Sequence, residues 1–148
     1  MVSRIAIGND HAGIYLKQHL IEYLRNKNIQ YKDFGPSSPD SVDYPNFAKL
    51  VCESIINGEC NRGLLICGTG IGMSIAANKF PGIRCALVHD TYTAKMAREH
   101  NNANVLALGE RVIGIGVAVE ALDAFITTEF LSEHANHPRR VAMLDSFR

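Results

Sequence analysis

The sequence predicts an α/β three-layer sandwich, in which five parallel strands lie between two layers of helices and a further helix closes the C-terminus. Short β-rich runs alternate with stretches of helical periodicity along the whole chain, an order that implies a parallel sheet with helices on both faces. The run "RGLLIC" at 62–67 is apolar almost throughout, as a strand covered on both faces should be. The 148 residues suit one domain over 1–148, large enough to bury roughly 70% of the surface its unfolded chain exposes.

Taken in order, "RIAIG" (4–8) reads as the first strand. In the "IYLKQHLIEYLRNK" that follows, Leu16, Leu20 and Leu24 recur every fourth residue on one helical face. "IQYKDFG" is the second strand, and "GPSSPDSVDYP" is a loop rich in Ser, Pro and Asp. The loop leads to a helix whose stripe is Phe47, Leu50, Val51 and Ile55. "RGLLIC" is the third strand, followed by glycines and a helix that stops near Pro81. "IRCALV" and "NVLALG" are the fourth and fifth strands, with the helix "TYTAKMAREHN" between them. "GVAVEALDAFI" is a longer helix, and "HPRRVAMLDSF" is the last, with Pro138 in its first turn.

Composition narrows the function. Hydrophobic residues make up 47% and charged residues 20% of the chain, the proportions of an ordinary globular domain with no sign of disorder. Fifteen basic side chains balance fifteen acidic ones, so no global field draws the protein to nucleic acid or to an anionic membrane. The opening "MVSRIAIGND" has no apolar leader and no apolar stretch is long enough to span a bilayer, which predicts a cytoplasmic protein. Cys52, Cys60, Cys67 and Cys85 form no CxxC pair and read as reduced thiols, three of them core filler.

In open α/β sheets a ligand lies beyond the carboxyl ends of the strands, near a switch in strand order. The loops at those ends read "GNDH", "CGTGIG", "HD" and "GER", and "REHNN" sits at the end of a helix; all are expected to converge on one edge. In "GTGIG", Gly68, Gly70 and Gly72 remove Cβ atoms where a strand turns into a helix, so backbone N–H groups can approach an anionic oxygen. A ligand-free tight turn is the plainer reading. Dinucleotide binding is a rival, because Asp90 stands where a ribose-binding acid would be, but the third glycine of G-x-G-x-x-G would fall at Met73 or Ile75. No Gly-Lys-Ser/Thr follows, which excludes a Walker A loop.

Cys67 is the last residue of the strand before these amides, where a helix N-terminus favours the reactive thiolate. On spacing alone a core role and a catalytic role both stand, since cysteine is among the most buried residue types. Asp10, His11, His100, Asn101, Arg111, Arg139 and Arg140 extend the set: imidazoles can act as acids and guanidiniums suit a phosphate dianion. His134 and His137 have a spacing that could hold a metal, but Pro138 and the want of a third ligand argue against one.

The motifs "GNDHAG", "DYP" at 43–45, "ICGTGIGMSIAANK" and "REHNNANVLALGERV" at 98–112 resemble the family of type B ribose-5-phosphate isomerases, which also holds galactose-6-phosphate and allose-6-phosphate isomerases. The resemblance covers nearly the whole chain. It implies a Rossmann-like homodimer, in some members a dimer of dimers, with active sites built between subunits, no metal and no cofactor. It also implies a sugar-phosphate substrate, ribose 5-phosphate in the first place and a hexose phosphate as the alternative.

By the same resemblance, Cys67 is the proton-transferring base, and Thr69 with the amides of Gly68, Gly70, Ile71 and Gly72 surrounds the enediolate. His100 is the acid that helps to open the furanose ring, and Asn101 is its substrate-binding neighbour. Asp10 and His11 bind substrate, Tyr44 lines the pocket, and Arg111 and Arg140 hold phosphate. One position departs from the pattern: many relatives have an arginine just before the residue matching His137, and here it is Asn136. Either Arg139 compensates, or phosphate is held less tightly, or the substrate is longer than a pentose phosphate. Two other readings remain, a nucleotide-binding module and a sugar-phosphate sensor without turnover.

Overall fold

The computed structural model describes residues 1–147. Its strands are β1 (Ile5–Asn9), β2 (Tyr31–Asp33), β3 (Arg62–Cys67), β4 (Cys85–Leu87) and β5 (Val105–Gly109). The helices are α1 (Ile14–Asn26), α2 (Tyr44–Ile56), α3 (Ile71–Ala77), α4 (Thr91–Glu99), α5 (Ile115–Thr127) and α6 (His137–Ser146). All strand pairs are parallel, in the order β2-β1-β3-β5-β4. β3 is therefore central, with Gly8 opposite Leu65 on one side and Cys67 opposite Gly109 on the other.

Alternate residues of the central strands feed two cores. Ile5, Ile7, Leu64, Ile66, Leu106 and Leu108 pack with Leu16, Leu20 and Leu24 of α1, Ala94 and Ala97 of α4, and Leu122 and Phe125 of α5. Ala6, Leu65, Cys67, Val105 and Ala107 pack on the opposite face with Ala48, Val51 and Cys52 of α2 and Met73 and Ala77 of α3. The chain thus leaves β1 and β5 toward one helical layer and leaves β3, between them, toward the other. That divergence opens a crevice on each side of the carboxyl end of β3.

The edge strands are shorter than their sequence runs. β2 and β4 have three residues each, where "IQYKDFG" and "IRCALV" predicted six or seven, because each pairs on one side only. The outer side of β4 is closed by Asn78, whose amide accepts from Cys85 N at 2.8 Å and donates to Cys85 O at 2.9 Å. This side-chain mimic of a strand covers the start of an otherwise open edge. "DYP" is the start of α2 rather than loop, with Asp43 at the N-cap and Pro45 in the first turn. Pro138 stands in the first turn of α6, as expected.

Two buried polar anchors fix the loops above the sheet. Lys17 of α1, almost fully buried, pairs with Asp33 at 3.0 Å and donates to Pro36 O at 3.0 Å. The fully buried Asn9 donates to Asp10 O at 2.8 Å and to Pro36 O at 3.0 Å. Both hold the start of the 36–43 segment against β1.

Candidate active site

At the carboxyl end of β3 the chain makes a sharp turn into α3. Gly70 has φ +75°, and a methyl group there would lie 2.6 Å from Leu87 Cδ1 and 2.9 Å from the carbonyl carbon of Leu108. Both the left-handed backbone and the space require glycine. The turn brings Gly70 N within 3.0 Å of Cys67 Sγ, so the amide donates to the sulfur. Cys67 itself is 6% exposed, and its sulfur faces the α2/α3 layer.

The amides of the turn are not all free. Gly70 N–H is taken by the sulfur, and Ile71 N–H donates to Thr69 Oγ1 at 3.2 Å. The helical ladder begins with Ser74 N–H to Gly70 O at 3.0 Å. Gly72 and Met73 lie in the first turn, where amides have no intrahelical acceptor. Of the amides predicted to form a cradle, those of Gly70 and Ile71 are thus engaged within the turn itself.

Around this turn stand other predicted site residues. Asp10, 7% exposed, donates its main-chain N–H to Ile66 O at 3.0 Å, and its carboxylate accepts from Ala12 N at 2.8 Å. The side chain is thereby locked one strand away from Cys67. His11 accepts from Val42 N at 3.4 Å through Nδ1, which ties the 36–43 segment to the β1 loop. Tyr44 lies over the turn, since a methyl on Gly72 would come 2.7 Å from its Cζ and 3.1 Å from its hydroxyl. Arg111 reaches the same place from the β5 loop. Its N–H donates to Gly68 O at 3.0 Å, and its Nη1 would lie 3.2 Å from a methyl on Gly68.

Three supporting residues were not singled out by the sequence. His89 Nε2 accepts from Gly109 N at 3.1 Å, and Glu110 accepts from Leu16 N at 2.7 Å, capping the first turn of α1. Asn9 is the third, and its Oδ1 has no partner among the described residues. The loops "HD" and "GER" carried the signal for the first two, and a fully polar residue closing the apolar "RIAIG" run carried it for Asn9.

The expectation that "REHNN" joins this edge is corrected by the fold. α4 leaves the carboxyl end of β4 and runs back over the sheet for nine residues, about 13 Å at 1.5 Å per residue. His100 is its C-cap, and Asn104 N–H bonds Arg84 O at 3.0 Å at the amino ends of β5 and β4. Asn101 accordingly lines a cavity of about 670 Å³ with Gly82, Ile83, Arg84, Leu144 and Asp145 at that opposite end. Arg139 and Arg140 lie in the first turn of α6, which is linked to the same end because His137 stacks on His100 with ring centroids 4.6 Å apart. Within one chain the predicted residues form two groups: Cys67, Thr69, Asp10, His11, Tyr44 and Arg111 at the carboxyl edge, and His100, Asn101, Arg139 and Arg140 at the amino edge.

The other cysteines differ from Cys67 in surroundings. Burial first, and Glu53 second, push the Cys52 thiol up to about 12, so it stays protonated and inert. Cys60 is buried and Cys85 is half-buried, and all four thiols are unpaired. Among the described residues, no three His, Cys, Asp or Glu side chains gather as metal ligands. No helix among them is long and apolar enough to cross a membrane.

Residues 5–144 match the family model described as Ribose/Galactose Isomerase. A Ribose-5-P isomerase B of Listeria innocua is 47% identical over 127 residues, 86% of each chain. A D-erythrulose-4-phosphate isomerase of Pectobacterium atrosepticum is 47% identical over 128 residues, 85% of this chain and 84% of that one. A solved ribose 5-phosphate isomerase of Thermotoga maritima superposes with a TM-score of 0.94 at 46% identity, over 98% of this chain and 99% of the other. With its strand order, its cysteine at the central strand end and this similarity over nearly its full length, the chain belongs to the ribose/galactose isomerase family, that of the type B ribose-5-phosphate isomerases, and is a sugar-phosphate isomerase.

Proposed function

We propose that the protein interconverts ribose 5-phosphate and ribulose 5-phosphate, with Cys67 moving the proton between C2 and C1 through an enediolate. The observation that carries this reading is the position of the sulfur, at the end of the central strand with the Gly70 amide aimed at it. In the aldose-to-ketose direction the thiolate takes the C2 proton, and the electrons of that C–H bond form the C1–C2 double bond and pass to O1, giving an enediolate. A proton then passes from O2 to O1, and as the C2 carbonyl forms the sulfhydryl returns its proton to C1 and the thiolate is regenerated. The Thr69 hydroxyl and the first-turn amides of α3 hold the developing oxyanion, where one donor is worth about 10² to 10³ in rate. The base adds a factor of about 10² to 10⁴.

The active site is shared by two copies of the chain. Cys67 and its neighbours come from one protomer. His100, which gives its proton to the ring oxygen as the furanose opens and is re-protonated from the anomeric hydroxyl, comes from the other, with Asn101 on the sugar and Arg140 and Arg139 on the phosphate. Arg111 approaches the phosphate from beside Gly68. The separation of the two groups along the sheet supports this arrangement, since a homodimer unites them and a monomer does not. The reading is of a cytoplasmic enzyme in which Cys67 and His100 carry the protons of isomerisation and ring opening without metal or organic cofactor.

The substrate is the pentose phosphate in this reading. The equal identity to a D-erythrulose-4-phosphate isomerase makes a four-carbon substrate the specific competitor, and allose 6-phosphate and galactose 6-phosphate the longer ones. Initial rates on all four classes with EDTA present test the assignment. A kcat/KM highest for ribose 5-phosphate and unaltered by EDTA is expected; preference for another sugar phosphate overturns the substrate, and loss of activity in EDTA overturns the mechanism.

A further inference from the structure

Three imidazoles lie in one column beside the start of α6. The His100 and His137 ring centroids are 4.6 Å apart with planes inclined by 20°, and those of His137 and His134 are 4.1 Å apart at 26°. The column stands on a main-chain frame. Leu131 N–H donates to Glu99 O at 3.1 Å, beside His100; His134 N–H donates to Leu131 O at 3.2 Å, and His137 N–H donates to His134 O at 3.2 Å. Each ring therefore grows from a backbone position tied to the next. His100 alone is an exposed side chain at a helix end, where nothing within α4 restrains its ring.

We propose that His137, backed by His134, is a positioning residue for His100: the column fixes the plane of the His100 ring so that its proton is presented to the sugar in one orientation. This deepens the function proposed above and rests on His100 being the acid of that reaction. An acid delivering a proton to a ring oxygen must be correctly oriented before it needs to be strong. A flat ring at 4.6 Å restrains tilt while leaving the His100 nitrogens free for substrate.

The same column makes the charges of the rings interdependent. Among the described residues, the titratable and charged groups facing His137 are His134 from the preceding turn, His100 from the end of α4 and Arg140 from α6 itself. Burial first, then these three neighbours, hold the His137 imidazole below its ordinary value. Its protonation is thereby moved toward lower pH than that of a free imidazole. A neutral His137 places no positive charge beside the proton that His100 gives to the sugar.

The test compares His137→Ala, His137→Phe, His134→Ala and His100→Asn in the full-length protein. Initial rates on ribose 5-phosphate are followed across pH, and NMR cross-peaks between the His100 and His137 rings report the column. We expect His137→Ala to lower kcat by roughly 10-fold or more with KM little changed. His137→Phe, which keeps a flat ring but cannot titrate, should recover most of that loss. His134→Ala should weaken the ring cross-peaks and give a smaller loss in kcat. Equal loss in the Ala and Phe variants, or a rise in KM at unchanged kcat, would overturn the positioning role while leaving the isomerase reading intact. Undiminished turnover in His100→Asn would overturn the acid role on which both rest, even with the cross-peaks present.

Discussion

The amide of Gly70 donates to Cys67 Sγ at 3.0 Å, and the two residues are held in that relation by a backbone only glycine can adopt there. The thiol of Cys67 thus meets a donor within its own turn, whereas Cys52, on the same face of the sheet, is pushed up by burial with no amide aimed at it. If the proposed mechanism holds, it is the turn into α3 that sets Cys67 apart. Cys67→Ala should lower kcat by about 10² to 10⁴. The lost side chain is small, so thermal unfolding should shift by only about 1 kcal/mol. Wild-type-like turnover in a folded Cys67→Ala protein would remove the sulfur from the mechanism.

Two glycine replacements separate the site from its scaffold. A methyl on Gly72 meets the far end of a side chain, Tyr44, at 2.7 Å, and a tyrosine ring can swing aside. Gly72→Ala should therefore fold with little loss and raise KM several-fold by displacing Tyr44 from the pocket. A methyl on Gly13 meets main chain, Ile66 O at 2.6 Å, which cannot move without disturbing β3. Gly13→Ala should cost about 1 to 3 kcal/mol in denaturant unfolding. If the two variants behave alike, Tyr44 is not held where this packing puts it.

How far these relations could be read in the sequence follows from what periodicity records. The apolar stripe of α1 and the continuous run of β3 report which faces are buried, and they were legible; on α2 the stripe holds at Val51, but Leu50 is 39% exposed and the small residues Ala48 and Cys52 fill the buried face instead. So was the turn after Cys67, because three glycines in five residues have few other uses. Strand order was not, since nothing local to β4 or β5 says that β5 lies inside β4. The position of His100 was partly legible. A helix that begins at the carboxyl edge and runs nine residues must end near the other edge, and that count argues against convergence within one chain. The imidazole column was hidden, because it depends on a turn at 131–136 whose residues carry no periodic signal.

The buried pair of Lys17 and Asp33 is a stability device with a consequence for the site. Lys17 is 4% exposed at its side chain and Asp33 32%, with 3.0 Å between them. Asp33→Ala leaves an ammonium stranded beneath the 36–43 segment and should cost about 3 kcal/mol, the low end for a broken buried pair because Asp33 still meets solvent. Lys17→Met removes the charge itself and should lie within about 1 kcal/mol of wild type. Urea unfolding of the two variants checks the asymmetry. The segment carries Val42, which bonds His11, and leads into Tyr44, so Asp33→Ala should also raise KM.

The proposed sharing of one site between two copies of the chain makes a prediction that no single-chain enzyme shares. Cys67→Ala and His100→Asn should each be inactive alone. In a two-fold symmetric dimer built from one chain of each, one site receives both defects and the other receives neither. Random exchange of protomers makes half the dimers mixed, and half the sites in those are intact, so mixing equal amounts should restore about a quarter of wild-type activity. Restoration should appear at the rate of subunit exchange and should be absent when two Cys67→Ala samples are mixed. Failure to recover activity under conditions where exchange is shown by labelled subunits would mean that Cys67 and His100 do not serve one site across the interface, and the acid would then have to be sought at the carboxyl edge, where His11 is the imidazole tied into the β1 loop.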